Sequence, residues 1–199
     1  MRKCKDVKKI VIIIVLAVVL IPVLLLVIHK PARVIIPEVI GFNRVDKGLY
    51  IDDMKRMEEA RLMRNQALEE MNNEFGQFKN EPKMLFCSLQ QSFEKLGFKK
   101  SASRSVGTYG IVIGPRAWAK YYIKHELIHY WQAENLGMIK MNYYPQWLIE
   151  GMAYSLSDDP RTTLDEPWET YREEFNNWYK QIDKNDLLIE IKAIGQERR

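Results

Sequence analysis

The sequence predicts an α+β domain carried behind one apolar N-terminal span, and three observations predict it. Short β-type runs precede a series of helix-length amphipathic segments. Glycines and prolines mark several segment ends, as at Pro82, Gly97, Pro115, Gly137 and Pro167. One stretch, residues 10–28, holds nineteen residues without a charge. The length of 199 residues suits one domain with accessories, and 47% hydrophobic with 28% charged residues excludes general disorder. Ten glycines and eight prolines are too few for a repeat fibre. The net charge of +4 resides in residues 1–9, where Arg2, Lys3, Lys5, Lys8 and Lys9 face only Asp6. The rest of the chain is neutral, which excludes nucleic-acid binding through a basic face.

Taken in order, residues 1–9 read as a basic cytoplasmic tail and residues 10–28 as a transmembrane helix. The run IVIIIVLAVVLIPVLLLVI rises about 28 Å as a helix, close to the hydrocarbon thickness of a bilayer. A cleaved signal peptide also begins with basic residues and an apolar run. Here the run is longer than a signal core, His29-Lys30-Pro31 follows it, and no small-x-small cleavage site appears. An uncleaved anchor is therefore expected, with the N-terminus cytoplasmic and the following domain extracytoplasmic. Cys4 and Cys87 then lie on opposite sides of the membrane and cannot pair. Cys87, within Met84-Leu85-Phe86, reads as a core residue.

Residues 29–48 read as a linker leading into a strand or turn, and residues 49–199 as the domain. Apolar residues at three- and four-residue steps (Met54, Met57, Ala60, Ala67, Met71, Phe75) predict a long helix over 52–78. Glu81-Pro82 breaks the chain, residues 83–88 read as a strand, and 89–96 as a short helix ended by Gly97. The run KKSASR over 99–104 reads as a polar loop, and 106–114 as a glycine-bounded strand stopped by Pro115. Further helices are expected over 116–136 up to Gly137, over 145–157, from Pro167 to about Lys180, and over 183–193.

The chemistry concentrates in the third of these helices. His125-Glu126-Leu127-Ile128-His129 places two imidazoles four residues apart on one helical face, about 6 Å along the axis, where both can reach one ion. Glu126 lies slightly around the helix, placed to touch a water on that ion without ligating it. Ala117, Trp118, Ile123, Leu127 and Trp131 make the helix apolar on most sides, so Glu126 is costly to bury unless something answers its charge. A solvated surface His pair would not need such surroundings. A catalytic zinc takes three protein ligands, and the only other histidine is His29. The third ligand is then a carboxylate or Cys87. Glu150 is the one charged residue of PQWLIEGMAYSLS (145–157), and Gly151 beside it allows close helix approach. A lone carboxylate there needs a cation, either a metal or an Arg or Lys.

HELIH followed about twenty residues later by PQWLIEGMA resembles the gluzincin branch of zinc metallopeptidases, in its short zincin-like domains. The match covers residues 106–158. The resemblance implies zinc bound by His125, His129 and Glu150, Glu126 as general base, and a peptide or protein substrate. A metzincin would need a third histidine after His129, and a thermolysin-like transition-state histidine is also missing. For the oxyanion donor, Tyr154 falls one turn after Glu150, with Tyr143, Tyr144 and Tyr171 as alternatives. The strand 107–113 could pair with an extended substrate. Asp158 and Asp159 could orient a ligating imidazole, although a solvated helix end explains them better. The expected protein is a membrane-anchored zinc peptidase. Its rivals are a binding or assembly protein that keeps a zincin-like fold, and a single-pass structural protein with a chance motif.

Overall fold

The computed structural model describes Ile14, Val18, Leu20, Leu24 and residues 26–197. Five strands, β1 Asn43–Asp46, β2 Leu49–Ile51, β3 Met84–Phe86, β4 Ser103–Val106 and β5 Gly110–Ile113, form one mixed sheet in the order β1-β2-β3-β5-β4. The β1–β2 and β4–β5 pairs are antiparallel, while β2, β3 and β5 run parallel. Six helices follow in chain order: α1 Met57–Phe75, α2 Gln90–Lys95, α3 Lys120–Leu136, α4 Gln146–Leu156, α5 Trp168–Tyr179 and α6 Leu187–Glu197. The architecture is α+β, a small mixed sheet with helices.

The register explains why the sheet is buried on both faces. Tyr50, Leu85 and Val112 stand in one row across β2, β3 and β5. They point to a back face with Val34, Phe42, Phe93 and Leu96. Their neighbours Ile51, Phe86 and Ile113 point the other way, into a larger front core with α1, α3, α4 and α5. A strand covered on both faces carries a continuous apolar run, as Met84-Leu85-Phe86-Cys87 does, instead of an alternating one. Cys87 is fully buried, and burial raises its thiol pKa.

α3 is the central helix, in contact with α1, α4, β4 and β5. Gly137, at φ +91°, ends it in a conformation that other residues adopt at a cost, and its N–H caps the Ala133 carbonyl. Lys124, nearly inaccessible on α3, reaches Glu74 of α1 and Asp158 beyond α4, at 2.6 Å each. α4 and α5 approach so closely at Gly151 that an added Cβ would run into the Tyr171 carbonyl.

The structure corrects three expectations. Residues 30–46 are not a spacer. They form 3₁₀ helices Lys30–Ile35 and Pro37–Ile40 and the strand β1, and Val34 and Phe42 are buried under the sheet. The polar loop and single strand read over 99–114 are instead a hairpin, because Ser103 to Val106 pair with Gly110 to Ile113. The strand over 107–113, considered for pairing with an extended substrate or as a plain structural strand, has no free edge, because β5 is flanked by β3 and β4; the edge strands of the sheet are β1 and β4. The span expected over 10–28 lies largely outside the described residues, and among those described no helix is long and apolar enough to cross a membrane.

Candidate metal centre

The i, i+4 spacing on α3 brings the two imidazoles together edge to face, with His125 Nε2 and His129 Nε2 3.1 Å apart. α4 crosses α3 so that Glu150 Oε2 stands 3.4 Å from His129 Nε2 and 3.8 Å from His125 Nε2. Three ligand atoms from two helices thus converge, all partly buried. A triangle with these sides has a point about 2.0 Å from every corner, the length of zinc bonds to imidazole nitrogen and carboxylate oxygen. No Arg or Lys is bonded to the Glu150 carboxylate among the described residues. Its nearest basic partners are the two imidazoles, and the three side chains together could hold one metal ion.

A buried network around the triad fixes which atoms face its centre. Gln132, one turn beyond His129, donates its side-chain N–H to the Ile149 carbonyl at 3.0 Å, so its oxygen is left to face His129 Nδ1 at 2.9 Å. That oxygen can only accept, which places the ring proton on Nδ1 and the lone pair on Nε2. Sequence reasoning missed Gln132. Its signal was present, an amide one turn after the motif on an otherwise apolar helix face. Also missed was Ser103, whose hydroxyl donates to Glu126 Oε1 at 2.8 Å. The other oxygen of Glu126, Oε2, is buried and has no hydrogen-bond partner among the described residues. A buried carboxylate oxygen left without a donor is costly, and a water held beside the metal would satisfy it.

The electrostatics follow from burial and from the triad itself. Burial and the neighbouring His129 push the His125 pKa down to about 3, so its ring is neutral at physiological pH. Burial opposes charge on His129 as well, but the hydrogen bond and charge of Glu150 outweigh it and raise its pKa. Burial works against the Glu150 carboxylate too, and His129 overcomes it, so Glu150 titrates below the ordinary range. Burial raises the Glu126 pKa, against the lowering effect of His129, the Ser103 hydroxyl and the Ser105 backbone amide. A carboxyl poised upward beside imidazoles is the usual condition of a general base.

The triad lies between two lobes of one cleft, of about 300 and 380 Å³, and Arg104, Glu126, His129 and Glu150 line both. The smaller lobe is bounded by Met138, Met141 and Gln146, and the larger by Tyr121, Tyr122, Tyr154 and Trp168. Of the four tyrosines considered for the oxyanion, Tyr154 lines the cleft, with its ring against His125 at a centroid distance of 4.5 Å. Tyr143 is three-quarters exposed, Tyr144 packs against Gly195, and Tyr171 lies along α5 beside Trp168. Asp158 and Asp159 do not bond the imidazoles. Asp158 holds Lys124, and Asp159 binds Arg161, whose guanidinium lies over Tyr121, Tyr122 and Tyr154 at 5.6 to 5.7 Å. Compared with models of protein families, with curated proteins and with solved structures, the chain matches none.

Proposed function

We propose that the protein is a membrane-anchored zinc metallopeptidase of the gluzincin type, with a zincin-like fold, that hydrolyses peptide bonds outside the cytoplasm. The observation that carries this reading is the convergence of His125, His129 and Glu150 beside a buried Glu126 with one oxygen unpaired. Zinc held by the three ligands would supply Lewis acidity, acidifying a water and polarising an amide carbonyl. Glu126 takes the proton of the attacking water and returns it to the leaving amine. Ser103 holds Oε1 of Glu126 so that the other oxygen does this work. Tyr154, packed on His125 within the cleft, is the donor for the developing oxyanion. The free edge of β4, which lines the same cleft through Arg104 and Ser105, offers backbone groups to an extended peptide.

A protein that only bound or assembled partners would gain nothing from a buried Glu126 with one oxygen left without a donor, and no feature of the cleft favours that reading. The test uses the full chain purified in detergent. About one zinc per chain is expected by elemental analysis. His129→Ala loses the metal, while Glu126→Gln keeps it and no longer cleaves a mixed peptide library. A zinc-free wild-type protein, or a Glu126→Gln variant as active as wild type, overturns the proposal.

A further inference from the structure

The residues that follow the apolar run form a rigid apolar collar on the back of the sheet. Ile36, between the two 3₁₀ helices, and Val39 of the second, with Leu26 and Val27, line a hollow of about 540 Å³, and Arg33 closes one side. Its rim is unusually apolar for exposed surface. Val39 is 74% exposed, Ile28 72%, Val27 61% and Ile35 49%. Burying aliphatic side chains of this kind is favourable, so leaving several in water is a standing cost.

This collar is fastened to the domain. Arg33 donates from Nε to the Leu26 carbonyl at 2.8 Å and from Nη1 to the Lys95 carbonyl at 2.7 Å. Lys83 donates to the Val34 and Ile35 carbonyls at 3.2 and 2.7 Å, and Val34 is fully buried. The aliphatic rim therefore holds its pose relative to the sheet. Cations flank it, with Lys30 at the start of the first 3₁₀ helix and Lys95 next to it through its carbonyl bond to Arg33, both exposed, and Glu38 the one acid among its 3₁₀ residues.

We infer that the collar is a bilayer-contact surface, in which Ile35, Ile36 and Val39 sink into the acyl–headgroup boundary while the flanking lysines meet lipid phosphates. The occupant is a lipid bilayer because the charge-free run 10–28 enters this surface directly, at Leu26 and Val27, and because aliphatic residues flanked by lysine match an interfacial segment. The inference rests on the membrane-anchored reading above. Its consequence concerns the substrate. Val34 packs under the back face of the sheet, whereas α3 and the triad lie on the front face, so the sheet stands between the collar and the triad. The scissile peptide is then presented from the aqueous phase and not from within the membrane.

The test uses the full chain in vesicles of equimolar phosphatidylcholine and phosphatidylglycerol, with Cys4→Ser removing one thiol and the buried Cys87 left in place. An environment-sensitive fluorophore is placed by Val39→Cys on the collar, by Leu62→Cys on exposed α1, or by Asn142→Cys at the cleft. The inference expects the label at 39 to be quenched several-fold more by doxyl lipid than those at 62 and 142, and to be shielded from iodide. Flotation of the vesicles reads the anchor separately. A chain that floats while the label at 39 stays as open to iodide as that at 62 overturns the collar and leaves the anchor standing. A chain that does not float overturns both. Shielding from iodide without lipid quenching, lost when the protein is diluted in lipid, assigns the surface to a second copy and overturns the inference. Lipid quenching at 142 equal to that at 39 overturns the orientation.

Discussion

Gln132 accepts the Nδ1 proton of His129 at 2.9 Å while its own amide is turned by the Ile149 carbonyl of the next helix. One buried side chain thus sets both the tautomer of a ligand and the seating of α4, the helix that delivers Glu150. Gln132→Ala leaves the ring free to rotate and the Ile149 carbonyl without its donor. Zinc affinity should fall about 10–100-fold, the usual effect of losing an outer partner of a ligating imidazole. Competition with a chromophoric chelator measures it, and an unchanged affinity would show the contact to be incidental.

Ser103 acts on Glu126 in the same indirect way. The hydroxyl stabilises the charged carboxylate, so removing it raises a pKa that burial has already raised. The base works only when ionised. In Ser103→Ala the acid limb of kcat/KM should therefore move to higher pH while the zinc content stays at the wild-type level.

Metal uptake should release about one proton near neutral pH, not two. His125, with its pKa pushed down to about 3, is already neutral, and Glu150 is already ionised. His129, raised by Glu150, is the ligand that must give up a proton. Affinity should climb as pH rises through the imidazole range of about 6.5 and above, then level off. In the metal-free protein the sign is opposite. The stabilising His129–Glu150 pair is fully present below the unfolded imidazole pKa and is lost as pH rises through the folded one. Calorimetric titration in two buffers of different ionisation enthalpy counts the protons.

Gly151 is required by the approach of α5. A Cβ there would meet the Tyr171 carbonyl and the Phe175 side chain, neither of which can swing away cheaply. Gly151→Ala should cost about 1–3 kcal/mol or more, the range of overpacked cores. It should also loosen Glu150, the preceding residue, so that the melting temperature and the zinc affinity fall together. Gly76, where an added Cβ meets nothing, serves as the contrast for space, although its φ of +79° strains any substitution.

The two imidazoles and Glu126 were legible in the sequence because helical periodicity alone puts residues four apart on one face. Glu150 was legible because one charge in an uncharged helix has few places to go. β4 was not, since nothing in Lys-Lys-Ser-Ala-Ser-Arg alternates. Its strand exists because β5 offers it a ladder, and only that pairing delivers the Ser103 hydroxyl to Glu126. The residues read as a linker hold prolines, a glycine and mixed residues without a period, yet Val34 and Phe42 anchor them beneath the sheet.

By itself the sequence determined what is local: the helices, the paired imidazoles, the lone carboxylate, and an apolar run long enough to span a bilayer. The tertiary structure alone decided that β4 is the edge strand beside the cleft, which tyrosine stands in the cleft, and how Gln132 and Ser103 hold His129 and Glu126. The division has a physical cause. Spacing along one helix is set by a fixed rise and turn, whereas contacts between Gln132 and Ile149, or Ser103 and Glu126, depend on how distant segments close upon a shared core.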